Sequence, residues 1–454
     1  MTANVLIIVI DSLRSDKLFG DKKTAKTPIL DNLIKNGLFF PNNISSSDGT
    51  VMSWAGLFTS LEPLKTGVRS ERHNKIDSTI LNYFSLIKQE GFHVFGCIPK
   101  FANAFGMMRD FENNDKTYDR FQMLSEGLGN KILSQLQSDL MKEPWLYFVH
   151  INDIHFPVIP PKSFDSQEFG ESKYDRTISS IDEWIGKIIA NVDLTKTLVI
   201  ITADHGANVS SVKIGDQWLN YETDGSKQKL TTKMGNKIPS FLEPVKTKLF
   251  FQVENYRKKI KEKKSKEFFL TPYQKRSLFS QRGDLDHYLF DERIKVPLLF
   301  FGYGVKSNNI VSSQVRTIDI FPTIFDILGL KSYEKNTDGR SLIPIMNGES
   351  VKELAALIVS SPLIEIKSND VIGLRTSKYK YFRDKDNPKN RVYLFDLQND
   401  PLEEKNIEKE NPKIVEEMEN VITQKLKESK SKNSEYDQNE LKNIEKELKK
   451  MGYI

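Results

Sequence analysis

Five side chains of the kinds that bind divalent metal ions stand close after apolar runs in this sequence. They are Asp11, Asp153, His155, Asp204 and His205. Carboxylate oxygens are hard ligands and imidazole nitrogens are borderline ones, so the set suits Mn²⁺, Mg²⁺, Ca²⁺ or Zn²⁺. Spacing alone leaves a second interpretation open, because aspartate is also a favoured residue at the start of a helix.

The apolar runs that precede these residues are interpreted as buried parallel strands. They cover residues 5–10, 146–151 and 197–202, and the first consists of β-branched residues and leucine without alternation. Such continuous runs are typical of strands covered by helices on both faces. Ligands of an open parallel sheet bind beyond the carboxyl ends of its strands. The sequence therefore predicts that the five polar residues converge on one crevice.

The remaining pattern predicts an α/β fold, with a doubly wound, mostly parallel sheet and helices on both faces. Apolar residues recur at helical spacing after Pro28 and again before Gly91. Beyond residue 348, short alternating segments predict a smaller C-terminal α+β subdomain with a short antiparallel sheet. We expect a main domain over residues 1–347 with a divergent basic insert at 209–283, the subdomain over 348–411, and a charged helical segment over 412–454.

Composition limits the classes of partner and the compartment. The 454 residues carry a formal charge of only +5, so no general attraction to nucleic acid is expected. The single cysteine, Cys97, gives no sign of an oxidising compartment. The apolar run ending at Ile10 is far shorter than the about 20 residues of a membrane span, and no secretory signal is recognised. The sequence therefore predicts a cytoplasmic protein without a transmembrane segment, and it leaves the oligomeric state open.

Several motifs resemble, in the same order, those of the sulfatase branch of the alkaline phosphatase superfamily. The opening strand ends at Asp11 and is followed by the Arg-x-Asp motif that starts at Arg14. Residues 50–67 resemble the family's nucleophile segment, residues 150–157 its Asp-x-His-x-Pro loop, and residues 202–206 its second metal motif. From His287 onward, further segments such as TIDIFPTIFDILGL and DGRSLIPIM resemble its downstream signatures. The resemblance covers nearly the whole chain.

The resemblance implies a divalent metal site formed by Asp11, Thr50, Asp204 and His205, with Thr50 as the nucleophile. True sulfatases have a Cys or Ser at this position, in a Cys/Ser-x-Pro/Ala-x-Arg motif that is oxidised to formylglycine. Threonine is a secondary alcohol and cannot give that aldehyde, and Met52 and Trp54 replace the motif's Pro and Arg. Ser53, or a serine among residues 45–47, is the alternative nucleophile.

Threonine at this position resembles the phosphodiesterases, phosphonate hydrolases and phosphoglycerol transferases of the superfamily. The sequence therefore predicts a metal-dependent hydrolase or transferase that cleaves phosphate, phosphonate or phosphodiester bonds. The expected substrate is an anionic ester, for example of a glycan or glycerol phosphate. Two alternatives stay open: a sulfuric ester hydrolase, and a noncatalytic family member that binds a glycan or another polyanion.

The resemblance also implies roles for histidines and an arginine around the nucleophile. His155 and His287 are predicted to contact the transferred group, to protonate the leaving group or to join a second metal site, and Arg14 to neutralise substrate charge unless it forms a salt bridge. Asp153 could supply a second metal site or orient His155. His150 lies within a predicted strand and is interpreted as a core residue.

Overall fold

The structure is a computed structural model that describes residues 3–68, 75–76, 79–119, 122–222, 243–280, 289–306, 309–330, 337–360 and 370–429. Strands in this part of the chain are β1 Asn4–Ile10, β2 Leu38–Ile44, β3 His93–Pro99, β4 Thr117–Tyr118, β5 Trp145–Ile151, β6 Thr197–Thr202, β7 Ser211–Ile214, β8 Gln217–Asn220, β9 Lys295–Gly302, β10 Asn309–Ile310, β11 Val315–Arg316, β12 Ala356–Val359, β13 Val371–Arg375, β14 Tyr379–Asp384 and β15 Tyr393–Asp396.

The α-helices of the described residues are α1 Ser15–Leu18, α2 Pro28–Asn36, α3 Thr50–Thr59, α4 Tyr83–Gln89, α5 Leu128–Leu136, α6 Lys173–Ile189, α7 Glu243–Lys264, α8 Pro272–Phe279, α9 Asp291–Ile294, α10 Ile320–Ile327, α11 Ile343–Met346 and α12 Pro412–Glu428. None of them is long and apolar enough to cross a membrane.

The main sheet contains nine strands and is mostly parallel, as predicted. Its order is β10-β2-β9-β6-β1-β5-β3-β4, with β11 also paired to β2. Strand β1 pairs in parallel with both β5 and β6, whereas β9 runs antiparallel to its neighbours β2 and β6. The strands that precede the predicted metal ligands are therefore adjacent in the middle of the sheet.

Helices cover both faces of this sheet, which confirms the predicted doubly wound architecture. Alternate residues of β1 enter two separate cores: Val5, Ile7 and Val9 join one, and Leu6, Ile8 and Ile10 join the other. Side chains of α3, α4 and α10 complete the first core, and those of α2, α5 and α6 complete the second. Burial on both faces explains why β1 has no polar alternation.

The C-terminal antiparallel sheet is also present, in the order β12-β13-β14-β15. A buried group of charges joins it to the segment after residue 289. The ammonium of Lys380 lies 2.5 Å from Asp291 and 2.6 Å from Glu403, and Arg375 also pairs with Asp291. Burial raises the pKa of Glu403 to about 7, and Asp291 and Glu292 add to this effect, while Lys380 opposes it.

The described part of the basic insert contains the hairpin of β7 and β8 and the helices α7 and α8. Val212, Leu270 and Leu278 form a small core of their own there. Several positions named in the sequence analysis lie outside the described residues: His287, the rest of the insert, and the C-terminal segment beyond residue 429.

Candidate active site

The structure brings Asp11, Thr50, Asp204 and His205 together at the carboxyl ends of β1 and β6. Asp11 follows β1 directly, and Asp204 comes two residues after β6. Because β1 and β6 are parallel neighbours, both aspartates lie at the same edge of the sheet. Thr50 is the first residue of α3, which begins after Gly49.

Distances within this cluster are those of groups that share one small site. Nε2 of His205 lies 3.8 Å from Oδ1 of Asp11 and 3.7 Å from Oδ2 of Asp204. The hydroxyl of Thr50 lies 3.2 Å from the same nitrogen. Ligand atoms of Asp11, Asp204 and His205 all lie within 4.8 Å of one another, and in the described chain this is the single group of acidic, histidine or cysteine residues with such spacing.

The hydrogen bonds of the two aspartates leave one oxygen of each carboxylate without a partner. Oδ1 of Asp11 accepts from the hydroxyl of Ser12 at 2.7 Å, and Oδ1 of Asp204 accepts from the amides of Ser12 and His205. Neither Oδ2 atom has a hydrogen-bond partner among the described residues, although both carboxylates are buried. Unpaired buried carboxylate oxygens are costly unless a cation binds them, so these residues fit a divalent metal.

The protonation of His205 follows from its contacts. Its Nδ1 lies 2.8 Å from the carbonyl oxygen of Gly206, which only accepts, so this nitrogen carries the proton. In the neutral ring Nε2 then has a free lone pair, which can accept a hydrogen bond from the Thr50 hydroxyl or bind a metal. Burial by itself raises the pKa of Asp204, but His205 and His150 together with the amide of Ser12 hold that pKa well below its usual range. Asp204 is therefore an anion in this site.

Ser12 and Gly206 hold the site in place, and the sequence analysis recognised neither role. Ser12 adopts the left-handed conformation (φ 67°) and contacts both metal-site carboxylates, while its carbonyl accepts from Tyr174. A Cβ atom on Gly206 would lie 2.1 Å from the carbonyl oxygen of Glu292, so the chain passes too closely for any side chain. The left-handed backbone conformation of Ser12 cannot be recognised from the residue type alone, because it depends on the folded backbone.

The loop before Thr50 is fixed by other polar groups. The hydroxyl of Ser53 donates to the carbonyl of Ser47 at 3.0 Å, and Ser45 contacts the backbone oxygen of Asp204. The guanidinium of Arg293 donates to the carbonyl of Asp48 at 2.9 Å. The backbone carbonyl of Arg293 accepts from the amide of Gly206. Ser45 and Ser53 thus connect segments of the backbone, whereas the hydroxyl of Thr50 contacts the metal-type residue His205.

The other predicted residues occupy different surroundings. Arg14 is buried and forms a forked ion pair with Asp16 at 2.9 and 2.7 Å, so its role in substrate binding stays a prediction. His155 is half-buried, with Nδ1 2.9 Å from the carbonyl of Phe156. Both carboxylate oxygens of Asp153 accept from the amide of Leu124, and burial raises its pKa to about 7.

His150 is buried, as its interpretation as a core residue requires, but it faces the metal-type carboxylates. Its Nε2 lies 3.7 Å from Oδ2 of Asp11 and 3.7 Å from Oδ2 of Asp204. The sequence contained a signal for this, because a histidine inside an otherwise apolar strand needs a polar partner.

Comparison with known families agrees with this arrangement. The family model Sulfatase matches residues 3–330. The chain belongs to the sulfatase family. A second model, described as N-sulphoglucosamine sulphohydrolase, C-terminal, matches residues 282–432, which include the antiparallel sheet. The predicted resemblance is thereby confirmed, and the chain is a hydrolase of this family.

Individual relatives are similar over most of the chain. Arylsulfatase K from Mus musculus is 23% identical, over 91% of this chain and 77% of its own length. A solved 2-O GAG sulfatase has a TM-score of 0.63 at 19% identity, covering 95% of this chain and 93% of the other. The phosphonate monoester hydrolase of Agrobacterium radiobacter has a TM-score of 0.62 at 15% identity, covering 94% and 96%. The family match and the arylsulfatase relatives favour the alternative of sulfate-ester cleavage over the main prediction of phosphate cleavage, whereas the two solved structures show the shared fold.

Proposed function

We propose that this sulfatase-family protein hydrolyses sulfuric esters of an anionic sugar substrate, with Thr50 as the nucleophile. The observation that carries the proposal is the position of the Thr50 hydroxyl, 3.2 Å from Nε2 of His205, a nitrogen that itself lies 3.8 Å from Asp11 and 3.7 Å from Asp204. The sulfate specificity is supported by the similarity to arylsulfatase K over 91% of the chain, and by the C-terminal match to the N-sulphoglucosamine sulphohydrolase family.

The proposed reaction has two steps. Oxygen Oγ1 of Thr50 attacks the sulfur, so that an O–S bond to Thr50 forms and the O–S bond to the substrate alcohol breaks, and the proton of the Thr50 hydroxyl ends on the oxygen of the departing alcohol. A water molecule then cleaves the Thr50 ester, which releases sulfate and restores the hydroxyl. Asp11, Asp204 and His205 are the residues that would hold a divalent ion, which when bound would act as a Lewis acid and lower the pKa of the Thr50 hydroxyl.

Positive charge around the site supports an anionic substrate. Arg293 is partly exposed beside the loop that leads to Thr50. Lys261 of α7 contacts the hydroxyl of Ser210, so this basic helix packs against the segment that follows His205. A local excess of positive charge attracts anions and raises their rate of association.

A second candidate is hydrolysis of phosphate or phosphonate esters, and Thr50 is the observation that favours it. Threonine cannot form the formylglycine that sulfatases use to release sulfate by elimination, so a sulfated Thr50 needs attack by water at sulfur. A phosphorylated threonine is displaced by water or an alcohol more readily beside a divalent ion. The two candidates share the site and the nucleophile and differ only in the central atom of the ester.

The test compares aryl sulfate, aryl phosphate and aryl phosphonate monoester with the purified full chain, loaded in turn with Mn²⁺, Zn²⁺, Mg²⁺ and Ca²⁺. The quantity measured is kcat/KM for each ester. The matched control is Asp204→Asn, purified in the same way, because it keeps the size of the side chain and reports contaminating esterases. We expect the sulfate to be the best substrate, and the control to lose the activity.

Three results would count against the proposal. A preference for phosphate or phosphonate over sulfate would replace it with the second candidate. Equal turnover by the Asp204→Asn control would show that the measured activity does not come from this site. If no ester is cleaved although the chain binds a glycan sulfate, the noncatalytic alternative would be supported instead.

A further inference from the structure

We propose that His150 is a fourth protein ligand of the cation site, which then contains two carboxylates and two imidazoles and selects Zn²⁺ or Mn²⁺ over Ca²⁺. The inference concerns the ion rather than the ester, and it does not depend on which ester is cleaved. It follows from three buried atoms of the described chain that have no hydrogen-bond partner, one on His150 and one on each carboxylate.

Three buried polar atoms without hydrogen-bond partners lie close together at the cation site. They are Oδ2 of Asp11, Oδ2 of Asp204 and Nε2 of His150, each buried and each without a partner among the residues the structure describes. The nitrogen is 3.7 Å from both oxygens, which is too long for a hydrogen bond. Ligands of a tetrahedral ion with bonds of about 2.0–2.2 Å lie roughly 3.3–3.6 Å apart, close to this spacing.

The same spacing is found on the other side of the site. Nε2 of His205 lies 3.8 Å from Oδ1 of Asp11 and 3.7 Å from Oδ2 of Asp204. The two imidazoles therefore share Oδ2 of Asp204 and approach different oxygens of Asp11. A cation among Oδ2 of Asp11, Oδ2 of Asp204 and Nε2 of His150 would satisfy these three unpaired atoms at once, whereas a hydrogen bond between any two would leave the third unpaired.

The ring of His150 is held so that Nε2 points at the carboxylates. Its Nδ1 lies 2.9 Å from the hydroxyl of Tyr118, which fixes the other end of the ring. The indole of Trp54 packs edge-on against the imidazole, with centroids 4.5 Å apart and an interplanar angle of 81°. Metal-binding histidines are usually oriented by such a second contact.

Trp54 is a neutral residue at a position where the sulfatase motif has a charged one. The motif of true sulfatases has arginine at this position, and arginine carries a permanent positive charge. The neutral indole instead covers His150, and both residues are fully buried. The negative charge of Asp11 and Asp204 is thus left for the bound ion to balance.

The ligand set determines which ion fits. Ca²⁺ takes six to eight oxygen ligands, while imidazole suits Zn²⁺ and other transition metals. Two carboxylates and two imidazoles form a four-ligand set of the type that binds Zn²⁺, with the Thr50 hydroxyl or substrate available as a further ligand. The presence of His150 therefore shifts selectivity away from Ca²⁺.

The first experiment measures the affinity of the chelator-treated full chain for Zn²⁺, Mn²⁺ and Ca²⁺ by titration calorimetry. His150→Gln should weaken Zn²⁺ and Mn²⁺ on the order of 10²-fold or more and Ca²⁺ much less. The control is His93→Gln, which removes an exposed histidine that contacts Glu112 and should leave all affinities unchanged. Equal affinities of the His150→Gln variant and the unaltered chain, with the fold intact by circular dichroism, would overturn the proposal.

A second experiment needs no variant and covers the case in which His150→Gln does not fold. Zinc K-edge absorption spectroscopy of the unaltered, Zn²⁺-loaded chain counts imidazole ligands from their multiple-scattering signal. We expect two imidazoles per ion. A spectrum with a single imidazole would remove His150 from the site, and a preference for Ca²⁺ over Zn²⁺ in the titration would contradict the predicted selectivity.

Discussion

Replacing Thr50 by alanine should abolish turnover with almost no change in stability. The side chain is buried at the first turn of α3, where it forms one hydrogen bond, to His205, and no helix cap. Losing one such bond costs about 1 kcal/mol, and alanine is a better helix former than threonine by a few tenths. The free energy of unfolding should therefore fall by less than ~1 kcal/mol.

The effect on catalysis should be much larger, because the substitution removes the atom that forms the covalent bond. A loss of 10³-fold or more in kcat/KM corresponds to about 4 kcal/mol of transition-state stabilisation. The assay measures kcat/KM for the best ester and the denaturant midpoint of the same samples. Thr59→Ala is the matched control, because it removes a hydroxyl of the same helix that donates to the carbonyl of Ala55.

Thr50→Ser, which keeps the hydroxyl, should retain a measurable part of the activity. The reasoning would be refuted if Thr50→Ala kept turnover close to that of the unaltered chain, or if Thr59→Ala lost as much activity as Thr50→Ala.

Three further predictions concern other parts of the molecule. His155→Ala should lower turnover ~10²-fold while metal content, measured by mass spectrometry of the ion, stays at the level of the unaltered chain; loss of metal would assign His155 to the ion instead. Burial raises the pKa of Asp153 to about 7, above the about 3.9 of the unfolded chain, so the folded state binds the extra proton and stability should fall as pH rises from about 4 to 7. Asp153→Asn should flatten this slope in thermal unfolding, and an unchanged slope would assign it to other groups. Lys380→Met removes the cation beside the buried Glu403 carboxylate, while Asp291 keeps its pair with Arg375, and should cost about 3–5 kcal/mol in denaturant unfolding; a neutral result would mean that Glu403 takes up a proton instead.

The sequence predicted the strands well where burial leaves a simple pattern. The continuous apolar run at residues 5–10 lies within β1, and the short alternating segments beyond residue 348 form the antiparallel strands β12 to β15. Parallel topology also predicted that Asp11 and Asp204 would meet, because adjacent parallel strands end at one edge.

Side-chain partners across the fold were less predictable. Arg14 lies where the motif places it, but its guanidinium pairs with Asp16 two residues away, and sequence cannot show which rotamer brings them together. His150 lies within an apolar run. Its distance from Asp204 depends on the registers of β5 and β6, each of which pairs with β1. Ser12 contributes through a backbone conformation rather than its residue type.

The account depends most on the claim that Thr50 forms the bond to the transferred group. The direct measurement is peptide mass spectrometry of the metal-loaded chain, quenched in acid during turnover of the best ester. We expect the peptide that contains Thr50 to gain the mass of one sulfonate group on this residue, and the gain to disappear in Thr50→Ala. Turnover with an unmodified Thr50 at every quench time, or a modification on Ser53 or another residue, would contradict the account.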